Sequence, residues 1–120
     1  MPNRIIKQRD YLLGVLGEAS TDAGLTAFQT EISDEVGTHR SRAVIVDVGL
    51  LDVIDSFTAK VLSQLATTIR LRGAKPVIVG IRPEVAFTMA RLGLQLDGVA
   101  TALDLDAGLD LLDSRSRLGS

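Results

Sequence analysis

Two short apolar runs constrain this chain most. Residues 43–48 read AVIVDV and residues 75–80 read KPVIVG. Each has the length of a strand, and neither alternates polar with apolar residues. A strand that is apolar on both sides must be covered on both faces, as in parallel sheets flanked by helices. Pro76 is tolerated near the start of the second run. Around these runs the apolar period becomes helical. Leu25, Phe28, Ile32 and Val36 recur at steps of three and four. Phe57, Val61, Leu62, Leu65 and Ile69 form the inner face of a second helix, and Val85, Ala86, Met89 and Leu92 that of a third.

Punctuation residues set the boundaries. Ile5-Ile6 and residues 11–16 (YLLGVL) are short strands, joined as a hairpin by an Arg9-Asp10 turn. Ser20, Thr21 or Asp22 caps the first helix, and Gly37 is its natural stop. Residues 38–42 form a polar, basic loop, and residues 49–56 (GLLDVIDS) a connection. The second helix runs from about 57 to 71, closed by Arg70, Arg72 and Gly73. Pro83 suits the first turn of the third helix, and Gly93 ends it. Residues 99–102 form a short strand. Asp104 or Asp106 opens a last helix carrying Leu105, Leu109 and Leu112, and the polar residues 114–120 fray. The order is strand, strand, helix, strand, helix, strand, helix, strand, helix. It predicts an α/β fold with a mixed, mostly parallel sheet of four to five strands and about four helices. No linker or repeat interrupts residues 1–120, which read as a single domain.

Composition removes several classes of chemistry. The chain has no Cys, which excludes disulfides, thiolate catalysis and Cys-ligated metal. One His leaves no multi-histidine site. With 13 Lys plus Arg against 15 Asp plus Glu there is no polybasic run, so neither nucleic acid nor a membrane surface is an expected partner. One Tyr, three Phe and no Trp supply few stacking platforms. No signal-peptide core and no apolar run long enough to span a bilayer is present, so the expected place is the cytoplasm.

The chemically distinctive stretch is residues 47–60, DVGLLDVIDSFTAK. It joins a buried strand to a helix at the strand's C-terminal side, the edge where α/β sheets gather ligands and recognition surfaces. Two uses are open to Asp55 and Ser56. Both types cap helices. Alternatively, Ser56 is a modification site, where a phosphoryl group adds about −1.5 to −2 charges beside Asp55. Ile54 and Phe57 would then supply an apolar docking patch that such a charge could spoil. Lys60, Arg70 and Arg72 suit either a solvated face or a partner contact.

A catalytic serine needs a base. The sole His, His39, precedes the strand of residues 43–48, so about 20 Å of strand separates it from Ser56. Asp47, Asp52 and Asp55 suggest a Mg²⁺ site, but no second acidic cluster accompanies them. Asp104, Asp106, Asp110 and Asp113 are spread around a helix and its start. The glycines match no nucleotide-loop spacing. No enzyme activity, cofactor or metal is expected.

The stretch VIVDVGLLDVIDSFTAKVL resembles the signature of STAS domains, the fold of anti-sigma factor antagonists. IDSFTAKVL, RGAKPVIVGIRPEVAFTMARLG, TALDLDAGLDLL and the N-terminal YLLGVLGEASTDAGLTAFQTEI are similar to the RsbS type, the small STAS subunits of bacterial stressosomes. The likeness runs from about residue 5 to residue 112. Sporulation-type antagonists continue after Asp-Ser with Ser-Gly-Leu, whereas Phe57, Thr58 and Ala59 stand here. The length leaves no room for the N-terminal sensor domain of RsbR-like paralogues. The resemblance implies a phosphorylatable scaffold that assembles with an RsbR-like STAS paralogue in a large particle. It would sequester an RsbT-like serine/threonine kinase and release it under stress, with a general stress sigma pathway downstream. Ser56 matches the phosphoacceptor and Asp55 its acidic neighbour, with Ile54, Phe57, Thr58 and Lys60 around them as recognition residues. The alternative is a stand-alone anti-sigma factor antagonist, or another partner-binding STAS module, that forms no shell.

Overall fold

A computed structural model describes residues 3–8, 10–17, 21–39, 41–94 and 98–117, with His39 and the last five as backbone only. Strands β1 (Arg4–Lys7) and β2 (Tyr11–Val15) form the N-terminal hairpin. Helix α1 (Asp22–His39) leads to β3 (Ala43–Asp47), and α2 (Ser56–Leu71) to β4 (Lys75–Val79). Helix α3 (Pro83–Arg91), β5 (Ala100–Ala102) and α4 (Leu105–Arg117) complete the chain. The strands lie in sequence order, β1-β2-β3-β4-β5. β1 is antiparallel to β2, and every later pair is parallel. The two apolar runs are neighbours, with Ala43 opposite Lys75 and Asp47 opposite Val79.

That order dictates the layers. Each parallel connection steps in the same direction across the sheet, and right-handed crossovers then put α1, α2 and α3 on one face. Val44, Val46 and Ile78 point into that face, against Ile32 of α1, Leu65 of α2 and Val85 of α3. Ile45, Val77 and Val79 point to the opposite face, where Leu105, Leu109 and Leu112 of α4 cover them. Because successive residues of β3 alternate between two covered faces, the strand is apolar from Ala43 to Val46, and its one charged residue, Asp47, stands at its half-buried end.

The boundaries differ from the expected ones in instructive places. The hairpin pairs Lys7 with Leu12, and Gln8 N–H donates to the Tyr11 carbonyl at 2.9 Å. Arg9, part of the expected turn, lies outside the described residues, as does Ser20, one of the expected caps. Thr21 Oγ1 accepts from Gly24 N–H at 3.0 Å instead. Gly37 does not stop α1, which continues to His39. A Cβ there would meet only the Arg72 guanidinium, the far end of a flexible, exposed side chain that can move aside. Of the third stripe, Val85 and Met89 are buried, but Ala86 is exposed and Leu92 lies beyond the helix end, 40% exposed. Asp104, not Asp106, caps α4, accepting from Ala107 N–H at 2.9 Å. The polar stretch expected to fray from residue 114 belongs to α4 as far as Arg117; residues 118–120 lie outside the described residues. Among the described residues no helix is long and apolar enough to cross a membrane.

Candidate functional site

The connection from β3 to α2 is held by hydrogen bonds and by two apolar anchors. Asp47, the last residue of β3, accepts Gly49 N–H on Oδ1 at 2.8 Å. Val48 N–H donates to the Val79 carbonyl at 3.0 Å, and Leu51 N–H closes a turn onto the Val48 carbonyl at 3.0 Å. Leu51 and Ile54 are 8% and 6% exposed and pack in the core beneath α1–α3. Pinning at these two positions turns Val53 outward, to 81% exposure.

The neighbouring loop braces this one. Gly80 has φ +79° and touches Gly49 so closely that a Cβ on it would lie 3.0 Å from the Gly49 backbone and from Asp47 Oδ1. Arg82 reaches back across the same edge. Its Nε donates to the Gly49 carbonyl at 3.0 Å, and its guanidinium pairs with Asp52 at 2.6 Å.

Helix α2 begins where this brace ends. Asp55 has extended backbone, φ −102° and ψ 176°, and its Oδ1 accepts Thr58 N–H at 2.8 Å. The cap leaves its carboxylate in the charged state it prefers. The Thr58 backbone N–H, then the Thr58 side chain, hold the Asp55 pKa below its ordinary 3.8 against a small opposing effect of burial. Ser56 is the first helical residue and is exposed, while Phe57 behind it is half-buried against the core. Among the described residues nothing hydrogen-bonds the Ser56 hydroxyl. Lys60, one turn along, is exposed on the same side. Ser56 and Lys60 line one wall of an open groove of about 340 Å³, with Gln64 further along and Leu92 and Leu94 opposite.

Two expected recognition residues change role. Ile54 is not a surface patch, because the loop needs it as an anchor in the core. Thr58 is buried, and it serves the Asp55 cap. Asp55, Ser56 and Lys60 are accessible, and Phe57 is partly so. Asp47, Asp52 and Asp55 are engaged separately by Gly49, Arg82 and Thr58, and the described residues hold no cluster of three His, Asp or Glu able to bind a metal. His39 ends α1, ahead of the N-terminal end of β3, whereas Ser56 follows its C-terminal end. Arg82 and Val53 were not singled out from the sequence. The signal for Arg82 was its position just after the second apolar run, which parallel pairing carries to the same edge as residues 49–55.

Known proteins share this fold. The STAS domain family model matches residues 22–106, from the start of α1 into α4. A serine-to-glutamate variant of RsbS from Moorella thermoacetica superposes with a TM-score of 0.87 at 32% identity, covering 96% of this chain and 97% of that one. A chain from the molecular architecture of the stressosome, a signal integration and transduction hub, gives 0.80 at 32% identity, covering 95% and 99%. The RsbT co-antagonist protein RsbRA of Bacillus subtilis (strain 168) is 39% identical over 71 residues, 59% of this chain and 26% of that protein. The chain spans about a quarter to a third of the length of the co-antagonists it matches. The family match takes in the whole braced edge, and the superpositions extend it over nearly every residue: the chain belongs to the STAS domain family.

Proposed function

We propose that the chain is a non-catalytic, phosphorylatable subunit of a stressosome-like assembly in the bacterial cytoplasm. Its assembly partner is an RsbR-like STAS paralogue. Its client is an RsbT-like serine/threonine kinase, held inactive and released when Ser56 is phosphorylated. The observation that carries this reading is the exposed, unbonded Ser56 hydroxyl at the head of α2. The helix cap belongs to Asp55, so modifying Ser56 leaves the capping bond from Thr58 in place. The domain stays folded while its edge gains dense negative charge. A kinase surface that fits a neutral hydroxyl, with Asp55 and exposed Val53 around it, then meets repulsion and a desolvation cost. A tenfold loss of affinity needs only about 1.4 kcal/mol.

The test incubates the purified chain with its cognate kinase and Mg-ATP, maps the phosphate by mass spectrometry and titrates kinase binding. Ser56→Ala is expected to fold, resist phosphorylation and keep the kinase. Ser56→Asp is expected to mimic release in part, since it carries less charge than phosphoserine. Phosphate elsewhere, or equal kinase affinity with and without phosphate at Ser56, overturns the mechanism. Sizing the chain with its RsbR-like partner separates a shell-forming subunit, which elutes as high-mass particles, from a stand-alone antagonist, which stays small.

A further inference from the structure

Among the described residues that line the groove beside Ser56, Lys60 is the one cation. Lys60 lies four residues after Ser56 on α2, so their Cβ atoms stand about 5–6 Å apart on one helix face. The polarity is the favourable one, with the prospective anion on the N-terminal side of the cation. Lys60 is exposed and enters no ion pair among the described residues. Among the described residues, Asp55 and Arg91 have partners of their own. Asp55 accepts from Thr58, and Arg91 at the end of α3 lies over the Phe87 ring at 5.9 Å. Glu84, the acidic residue of α3, sits at the opposite end of that helix from Leu92. Leu92 and Leu94 line the same groove from the end of α3.

We propose that Lys60 is the charge partner of a phosphate on Ser56. When Ser56 is unmodified, Lys60 is offered to an acidic group of the docked kinase. When Ser56 is phosphorylated, the phosphate captures Lys60 along the helix and withdraws it from that contact. Phosphorylation therefore acts twice, adding repulsion and removing an attraction. The inference rests on the reading of Ser56 as the phosphoacceptor, and its test is arranged to stand apart from that reading.

Phosphoserine is encoded at position 56 of the full chain during translation, so no kinase is needed to place it. The second ionisation of the phosphate is followed by ³¹P NMR in the Lys60 protein, Lys60→Arg and Lys60→Met. With Lys60 or Arg present, the phosphate is expected to ionise about 0.15–0.4 pH unit lower than in Lys60→Met, and the difference should fade in about 1 M salt. Equal values in the Lys60 and Met proteins overturn the proposal. Circular dichroism confirms the fold of each variant, which exposure of Lys60 favours. A second arm measures cognate-kinase affinity for the four combinations of serine or phosphoserine at 56 with Lys or Met at 60. The drop caused by phosphate should be at least about twofold smaller in the Met background. An undiminished drop overturns the proposal. A kinase that ignores the phosphate in both backgrounds counts instead against the Ser56 switch, while the NMR arm still decides the pairing with Lys60.

Discussion

Arg82 and Asp52 meet at 2.6 Å across the carboxyl edge of the sheet, thirty residues apart in the chain. Both side chains are largely in water, 48% and 71% exposed. Such a pair contributes little to global stability, about 0–1 kcal/mol. Its effect is local, since the same Arg82 also holds the Gly49 carbonyl. Arg82→Ala should therefore shift the urea midpoint only slightly while speeding amide exchange in residues 49–55. Unchanged exchange there would show that the loop is held without Arg82, by its own hydrogen bonds and by Leu51 and Ile54.

Val53 and Ile54 are adjacent and should behave oppositely. Ile54→Ala opens a cavity in the core and is expected to cost about 2–4 kcal/mol, read from chemical unfolding. Val53→Ser removes an exposed side chain and should leave stability within about 0.5 kcal/mol. If Val53 belongs to the kinase-binding surface, the same substitution weakens kinase binding in a titration. Equal stability losses from the two changes would contradict the inward and outward assignments.

Asp55→Ala removes the cap of α2 and should cost about 1 kcal/mol, with Asp55→Asn retaining most of it. The pH dependence follows from the lowered carboxylate pKa. The stabilisation is fully present above the unfolded value, about 3.9, and is lost as pH falls through the lower folded value. Urea midpoints of the native chain and Asp55→Ala should therefore differ by a constant amount from about pH 5 to 8. They should converge only below about pH 4. Convergence near neutrality would contradict this origin.

Gly80→Ala is expected to destabilise by more than about 1 kcal/mol. It combines a left-handed backbone with a Cβ 3.0 Å from the Gly49 backbone. Gly73 also has positive φ, +86°, but a Cβ there meets nothing within 4 Å. Thermal unfolding of the two alanine variants side by side separates crowding from backbone strain, and equal losses would argue that crowding adds nothing.

The parts of this fold that could be read in the sequence are those where local pattern and tertiary burial agree. Residues 43–46 and 76–79 are strand-like because every side chain there is buried, and that condition leaves a compositional trace. The head of α2 was legible because Asp55 and Ser56 are types that end up at helix starts. What could not be read depends on distant partners. Gly37 has the composition of a helix stop, yet α1 runs through it to His39. Ile54 and Val53 differ by one methylene, and nothing local tells which one the loop turns inward. Arg82 takes its role from Gly49 and Asp52, which only the β3–β4 register brings within reach.

The strand that carries the Ser56 loop is β3, third of five. It has a neighbour on each side and helices over both faces. Such a strand is among the last to open in native-state fluctuations, while β1 and β5 at the margins can breathe. Under the proposed function, a phosphate on Ser56 would stand at the end of a connection anchored to that strand. Its message would travel as a change of charge on a held surface rather than as a change of shape. A subunit of that kind could be written and erased many times inside an assembly without loosening its neighbours.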